Sequence, residues 1–215
     1  MAPRAVLFDL DGTLIDSIPL IVESMKHAFA GRARAPTVPE WVARIGTPLD
    51  GMIRRWAEDE ADVALLKERY KRHQREHHDA MVSAFPGVPE LLERLRARGT
   101  LLAVVTSKLE ASASRSLVRL GLARHFRAVV GLGATSRHKP DPEPVRRALS
   151  LLGASAPEAA FVGDSPHDVV AGNRAGVATV AGLWGPFTRE ELEPARPRAF
   201  AARAADVLAV LDRLG

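Results

Sequence analysis

The sequence predicts an α/β protein, a doubly wound Rossmann-like parallel sheet that carries an inserted all-helical cap domain. Over most of the 215 residues, short and nearly continuous apolar runs alternate with amphipathic helical patterns. Such alternation is typical of a parallel sheet that is covered by helices on both faces. One long segment breaks the alternation, because it has helical patterns without strand patterns. The hydrophobic content of 47% is that of an ordinary globular protein.

The predicted sheet is built from apolar runs of strand length that are rich in valine or leucine. These runs are residues 5–10, 101–105, 128–130, 159–162 and 177–180. Between them, apolar side chains recur at helical spacing and predict helices, two of which end at Gly99 and Gly153. A last amphipathic helix is predicted at the C-terminal end, after a proline-rich surface loop at 194–197.

The segment that lacks strand patterns predicts a helical cap domain at 17–83. Its apolar side chains follow helical spacing in three stretches, at residues 18–29, 49–56 and 63–70. The core domain is then formed by residues 1–16 and 84–215, and a hinge is expected at 84–87. Two domains joined in this way can close over a crevice between them.

Composition excludes several classes of protein. The chain has no cysteine, which excludes disulfides, a thiolate nucleophile and a cysteine zinc site, and favours a cytoplasmic location. The apolar stretch after Arg4 ends at Asp9, so we expect no secretory signal. No apolar run reaches the roughly 20 residues of a membrane span, so we expect no membrane partner. The net charge of +4 comes from scattered arginines with few aromatic neighbours, which argues against nucleic-acid binding. Monomer and homodimer both stay open.

Two acids follow the first predicted strand, at the edge of a parallel sheet where ligands bind. Asp9 and Asp11 lie two positions apart in an extended segment, so their carboxylates point to the same side. Gly12 permits a tight turn directly after them. Two close negative charges need a cation or a proton to offset them, and Mg²⁺ binds one or two carboxylates together with phosphate and water. We therefore predict a magnesium site here.

A second pair of acids follows the run at 159–162. Asp164 and Asp168 lie four positions apart, so they share a face if a helix begins there. We predict that Asp164 is a metal ligand and that Asp168 binds the metal directly or supports its ligands. The alternative for Asp168 is that it only stabilises the N-terminus of the helix.

Hydroxyl and ammonium groups complete the predicted site. Thr106 ends the second run, and a helix that begins at Ser107 or soon after would add backbone N–H groups for a phosphate. Thr106 could instead serve only as a helix cap. Lys139 lies in the loop before the helix near 145–152, and its ammonium suits a phosphate or an acyl phosphate. An isolated lysine in such a loop is otherwise a solvated surface residue.

In chain order, these residues resemble the four motifs of the haloacid dehalogenase superfamily. The first is Phe-Asp-Leu-Asp-Gly-Thr-Leu at residues 8–14, and the others are Thr106, Lys139 and Gly163-Asp164 with Asp168. The resemblance covers nearly the whole chain. It implies an enzyme with the α/β core and helical cap described above.

The resemblance also implies residue roles. Asp9 is expected to be the nucleophile that forms an aspartyl-phosphate. Asp11 is expected to protonate the leaving oxygen and then to activate water. Mg²⁺ would be bound by Asp9, Asp164 and the backbone carbonyl of Asp11. Thr106, Ser107 and Lys139 would bind the phosphoryl oxygens.

The choice of reaction follows from positions where branches of the superfamily differ. Dehalogenases lack an acid at the position of Asp11, so carbon–halogen cleavage is disfavoured. Residues 44–48 contain no lysine, which disfavours phosphonoacetaldehyde hydrolysis. The segment 46–49 resembles phosphoglycolate phosphatases, and implies a small phosphomonoester such as 2-phosphoglycolate. Arg44 and Thr47 are the candidate substrate contacts of the cap.

Two alternatives to this function stay open, one with a different substrate and one with a different reaction. The segments 85–88 and 139–145, with His77-His78-Asp79, resemble bacterial pyrophosphatases of the superfamily, so inorganic pyrophosphate is the first alternative. A β-phosphoglucomutase-like sugar phosphomutase is the second. The His-His-Asp motif could instead be a polar face of the last cap helix, or a transition-metal site. A non-catalytic binding protein is disfavoured, because it would have no need for a general acid.

Overall fold

The structure is a computed structural model that describes residues 2–214. Its strands are β1 (Ala5–Phe8), β2 (Ile15–Asp16), β3 (Ser83–Ala84), β4 (Leu101–Leu109), β5 (Ala128–Leu132), β6 (Ala159–Gly163), β7 (Ala178–Gly182) and β8 (Ala199–Ala201). Its α-helices are α1 (Ile18–Phe29), α2 (Val38–Val42), α3 (Leu49–Arg54), α4 (Glu60–Met81), α5 (Val88–Ala97), α6 (Glu110–Arg119), α7 (Glu143–Leu152), α8 (Pro166–Ala175), α9 (Arg189–Leu192) and α10 (Val207–Leu214).

The main sheet is parallel throughout, in the order β5-β4-β1-β6-β7-β8. The strand order reverses at β1, because β4 lies on one side of it and β6 on the other. Phe8 pairs with Val104 and with Val162, so these three strands end at the same edge of the sheet. This is the crevice where open α/β sheets bind ligands, and it confirms the predicted fold class.

Both faces of the sheet are covered, which explains why the strands read as continuous apolar runs. Val6 and Phe8 point into a cluster with α5, α6 and α10. Ala5 and Leu7, on the other face of the same strand, pack in a cluster with α7 and α8. Alternate side chains of one strand therefore enter two different hydrophobic layers.

The structure differs from the sequence prediction at several elements. Strand β8 and helix α9 were not predicted, since an Ala-Phe-Ala strand and a helix of four residues are too short to show a period. Strand β4 continues past residue 105 to Leu109, with a shift of register against β5. Apolarity ends at Val105, but the backbone stays extended through the polar residues that follow.

Helices α1–α4 lie between β2 and β3 and form a hydrophobic cluster of their own around the fully buried Trp41. Helix α2 was also missed; it is short and begins with a capping box between Thr37 and Glu40. Strands β2 and β3 pair antiparallel, Ile15 with Ala84, where the chain leaves the sheet and returns. The division into a core of 1–16 and 84–215 and a cap of 17–83 stays a prediction. Over residues 2–214, no helix is both long and apolar enough to cross a membrane.

Candidate active site

The loop after β1 brings the first motif to the edge of the sheet. The backbone N–H of Asp9 donates to the carbonyl of Val162 on β6 at 2.9 Å, which continues the parallel ladder and buries the Asp9 side chain. Gly12 has a φ of +89°, and a Cβ there would lie 2.5 Å from Oδ2 of Asp164. Glycine is therefore required at this position both by backbone conformation and by the close approach of the acid.

Three buried carboxylates meet at this edge. Oxygen atoms of Asp9, Asp164 and Asp168 all lie within 4.8 Å of one another. Asp9 follows β1, Asp164 follows β6, and Asp168 lies in the first turn of α8. The structure thus brings together the predicted ligands Asp9 and Asp164, and Asp168 as well. We refer to these three residues as the acid cluster.

Lys139 is buried beside the acid cluster, with a side chain that is 1% exposed. Its Nζ donates to Oδ1 of Asp9 at 2.7 Å, to Oδ1 of Asp168 at 2.6 Å and to the carbonyl of Val105 at 3.2 Å. Burial works to lower the pKa of Lys139, but the carboxylates of Asp168 and Asp9 outweigh it and raise the pKa. The lysine is therefore a charged ammonium that fixes the orientation of the Asp9 carboxylate.

Asp168 has two sets of contacts. Its Oδ2 accepts hydrogen bonds from the backbone N–H of Ser165 at 3.0 Å and from the Ser165 hydroxyl at 2.6 Å, which caps α8. Its Oδ1 accepts from Lys139. The helix-stabilising contact considered for Asp168 is therefore present together with a contact to the acid cluster.

The acid cluster has an excess of negative charge, because three carboxylates face one ammonium. Burial, then repulsion from Asp168, raises the pKa of Asp9 to about 7, although Lys139 opposes this. Burial, then Asp9 and Asp168, raises the pKa of Asp164 well above its usual value. Oδ1 of Asp164 accepts from the Thr13 hydroxyl, whereas the buried Oδ2 has no hydrogen-bond partner. An unsatisfied buried carboxylate oxygen among like charges fits a hard divalent cation with oxygen ligands.

Asp11 has a different environment from the acid cluster. Its Oδ1 accepts hydrogen bonds from Nζ of Lys108 at 2.8 Å and from the hydroxyl of Ser17 at 2.6 Å. Burial works to raise the pKa of Asp11, but the Lys108 ammonium and the hydrogen bonds from Lys108 and Ser17 outweigh it and hold the pKa below its usual value. Neither donor was predicted from the sequence. Lys108 lies two positions after Thr106 in an extended strand, and this spacing could have identified it.

Thr106 and Ser107 lie within β4, and α6 begins only at Glu110. The helix therefore begins soon after Ser107, once the extended chain has reached Leu109, and the phosphate-binding role of Thr106 and Ser107 stays a prediction. The Thr106 Oγ1 accepts from the backbone N–H of Lys108 at 3.1 Å, and the Ser107 hydroxyl donates to the carbonyl of Gly46 at 2.6 Å. The second contact joins the end of a core strand to the loop between α2 and α3.

A cleft of about 900 Å³ lies between the edge of the sheet and helices α3 and α4. Asp9, Asp11 and residues 106–109 line it from the core, and residues 45–50 line it from the helical segment. Thr47 is part of the lining, and its hydroxyl donates to the carbonyl of Arg44 at 2.7 Å. Its role as a substrate contact stays a prediction. Arg44 itself is not among the described residues that line the cleft.

The His77-His78-Asp79 motif lies away from the cleft. Nε2 of the buried His78 is 2.7 Å from the hydroxyl of Ser116 on α6, and its Nδ1 is 2.8 Å from Oδ1 of Asp79. Asp79 also pairs with Arg115 at 3.3 Å. No histidine belongs to the acid cluster, which is the one potential metal-binding group found within 2–214. The motif instead connects the end of α4 to α6.

Comparison with known proteins identifies the class to which this fold and this site belong. The model of the haloacid dehalogenase-like hydrolases matches residues 6–182, a span that contains all four motifs. The chain belongs to this family, and its relatives mark it as an enzyme of the phosphatase type.

More specific likenesses are to bacterial phosphatases. Pyrophosphatase PpaX of Halalkalibacterium halodurans is 37% identical over 186 residues, which cover 83% of this chain and 83% of the relative. Pyrophosphatase PpaX of Bacillus velezensis is 39% identical over 184 residues, which cover 84% of this chain and 83% of the relative. A crystal structure from Haemophilus somnus, described as a predicted phosphoglycolate phosphatase, superposes with a TM-score of 0.88 at 26% identity and covers 96% of this chain and 97% of its own.

Proposed function

We propose that this protein is a Mg²⁺-dependent phosphohydrolase that transfers a phosphoryl group from a small phosphorylated compound to Asp9 and then to water. The observation that carries the proposal is the position of Asp9. Of the acid cluster, only Asp9 is among the described residues that line the cleft. A substrate in the cleft can therefore reach Asp9, while Asp164 and Asp168 lie behind it.

The first half-reaction forms an acyl phosphate on the protein. A carboxylate oxygen of Asp9 attacks phosphorus, and the bond between phosphorus and the leaving oxygen breaks. Lys139 holds Oδ1 of Asp9 at 2.7 Å and thereby orients the nucleophile. Thr106 offers a hydroxyl group in the cleft for the phosphoryl oxygens, and Ser107 offers a second one when its hydroxyl turns away from the carbonyl of Gly46. Asp11, in its protonated form, gives the leaving oxygen its proton.

The second half-reaction restores the enzyme. The Asp11 carboxylate takes a proton from a water molecule, whose oxygen attacks phosphorus. The bond between Asp9 and phosphorus breaks, which releases phosphate and the free carboxylate. Lys108 and Ser17 both donate to Oδ1 of Asp11, and these two contacts stabilise the ionised form that acts as base.

The unpartnered oxygen of Asp164 supports a metal at the acid cluster. Asp9, Asp164 and the backbone carbonyl of Asp11 would hold Mg²⁺, which supplies positive charge to offset the charge of the transferred group. Asp168 would contribute through Lys139, since its own oxygens are taken up by that ammonium and by Ser165.

The substrate is proposed to be a small phosphomonoester such as 2-phosphoglycolate. A second candidate, inorganic pyrophosphate, is favoured by the names of the relatives that are 37% and 39% identical. The two reactions use the same steps at Asp9 and differ only in the leaving group.

A substrate panel tests the proposal. Phosphate release is measured with Mg²⁺ on 2-phosphoglycolate, pyrophosphate, sugar phosphates and nucleotides, with the Asp9→Asn variant as the blank. A preference for 2-phosphoglycolate or for pyrophosphate above the blank supports the proposal and selects between the candidates. Equal phosphate release by the variant and the parent protein would refute the role of Asp9.

A further inference from the structure

One face of α4 forms part of the cleft lining. Its residues are Lys67, Tyr70, Lys71, Gln74 and Arg75, which recur every three or four positions and so lie on the same side of the helix. Three of the five carry a positive charge. Opposite them, the core side of the cleft presents Asp9 and the residues at the end of β4.

The three cations of this face differ in their partners. Lys67 pairs with Asp50 at 2.7 Å, and Arg75 pairs with Glu68 at 2.7 Å. Lys108, on the core side, is bonded to Asp11. Within residues 2–214, Lys71 is without a carboxylate at ion-pair distance, although it is half-buried in the cleft. A partly desolvated ammonium that lacks a protein counter-ion is suited to a negatively charged ligand.

We propose that Lys71 is the centre of an anion subsite that binds the leaving part of the substrate. The proposal rests on the proposed function, because a phosphoryl group held at Asp9 leaves its other half in the same cleft. The subsite selects substrates whose leaving group has a negative charge of its own. That charge can belong to a phosphate, as in pyrophosphate, or to a carboxylate, as in 2-phosphoglycolate.

The chemistry of the face favours this role over a general attraction for phosphate. Lys67 and Arg75 are already neutralised by acids, so they contribute little additional field at the cleft. Gln74 donates to the Tyr70 hydroxyl at 3.3 Å, which leaves a neutral polar pair beside Lys71. A single ammonium between neutral groups recognises one anionic group and does not form a broad basic surface.

The test compares kcat/KM for three substrates in the parent protein and in Lys71→Met. Pyrophosphate and 2-phosphoglycolate have charged leaving groups, whereas the leaving group of p-nitrophenyl phosphate has no charge before transfer. We expect the ratio of kcat/KM for the charged substrates to that for p-nitrophenyl phosphate to fall about tenfold to a hundredfold, the loss of one charged hydrogen bond. Lys71→Arg should recover most of this ratio. A larger loss for one charged substrate identifies which anion the subsite takes.

Lys26→Met is the matched control, since Lys26 is an exposed lysine of the same segment that pairs with Glu23 and does not line the cleft. An unchanged ratio in Lys71→Met, or an equal loss on all three substrates, would overturn the subsite. Binding of methylenediphosphonate, measured by calorimetry, separates this proposal from the proposed function. Weaker binding to Lys71→Met than to the parent supports the subsite even if none of the three substrates is hydrolysed, and equal binding contradicts it.

Discussion

Lys108 donates a hydrogen bond of 2.8 Å to Oδ1 of Asp11, across 97 positions of sequence. The contact joins the loop after β1 to the polar end of β4. Strand β4, which carries Lys108, pairs with β1 at the point in the sheet where the strand order reverses. Lys108 is therefore a positioning residue, because it orients the Asp11 carboxyl group and favours its ionised form.

Replacement of Lys108 by methionine tests this relationship. Without the ammonium, burial raises the pKa of Asp11, so the alkaline limb of the pH profile of kcat/KM, where the protonated acid of the first half-reaction is lost, should move to higher pH. We expect kcat at neutral pH to fall about tenfold to a hundredfold, part of the usual contribution of general acid–base catalysis. Lys108→Arg should recover part of the loss. A lower kcat with an unshifted pH profile would show a structural role only.

Asp164→Asn tests the metal site. The variant keeps the shape of the side chain but loses its charge, so Mg²⁺ should no longer bind. In the parent protein, EDTA should stop phosphate release, Mg²⁺ should restore it, and Ca²⁺ should restore it poorly because it prefers more ligands at longer distances. At about 100 times its dissociation constant, Mg²⁺ should stabilise the parent by about 2.7 kcal/mol. An increase in Tm of equal size in Asp164→Asn would rule out this residue as a ligand.

The pH dependence of stability should differ between metal-free and Mg²⁺-bound protein. Burial and like charges raise the pKa of Asp9 to about 7 and also raise that of Asp164, so the folded protein without metal binds more protons than the unfolded chain above pH 4. The contribution of these two groups to stability is then fully present below about pH 4 and decreases as the pH rises through about 7.

Thermal unfolding is measured in EDTA between about pH 5 and about pH 8, a range that brackets the raised pKa of Asp9. At the upper end, Asp164→Asn should unfold about 2–4 °C above the parent, the shift expected for about 1 kcal/mol in a chain of this size. Identical pH profiles of Tm for the two proteins would mean that repulsion within the acid cluster does not destabilise the folded protein.

The sequence-based predictions succeeded where burial on both sides produces continuous apolar runs. The central strand β1 and its neighbours show such runs, and the residues that follow them were correctly expected at one edge. Lys108 was missed because its contact with Asp11 joins the ends of two strands that are 97 positions apart in the sequence. Ser17 was missed because its contact with Asp11, across six positions, follows no helix or strand period. The extension of β4 to Leu109 was missed because Thr106, Ser107 and Lys108, which line the cleft, are polar and interrupt the apolar run.

The position of Lys139 shows how tertiary contacts change the interpretation of a residue. Its sequence context is a polar loop, where a lysine is usually solvated. The loop before α7 places it under the acid cluster, where two carboxylates compensate for its burial. Order along the chain predicted that it belongs to the site, but its contact with Asp168 depends on how α8 packs.

The contact between His78 and Ser116 should contribute to stability. His78→Leu removes two hydrogen bonds, a buried one to Ser116 and a partly exposed one to Asp79. We expect a loss of about 1–3 kcal/mol in the free energy of unfolding. His77→Leu is the adjacent control; its exposed side chain contacts His73, through that residue's carbonyl and its ring, so a change within about 0.5 kcal/mol is expected. Equal effects of the two substitutions, measured by urea unfolding, would refute an anchoring role for His78.

The central claim is that the phosphoryl group passes through Asp9, and direct detection of the intermediate tests it. Asp11→Asn should slow hydrolysis of the intermediate, because no carboxylate remains to activate water. The variant is mixed with substrate and Mg²⁺, quenched in acid, reduced with borohydride and analysed by peptide mass spectrometry, with Asp9→Asn as the control. We expect residue 9 to be converted from aspartate to homoserine, the product of a reduced acyl phosphate. Turnover by the parent protein with an unmodified Asp9, or with a phosphoryl group on another residue, would contradict it.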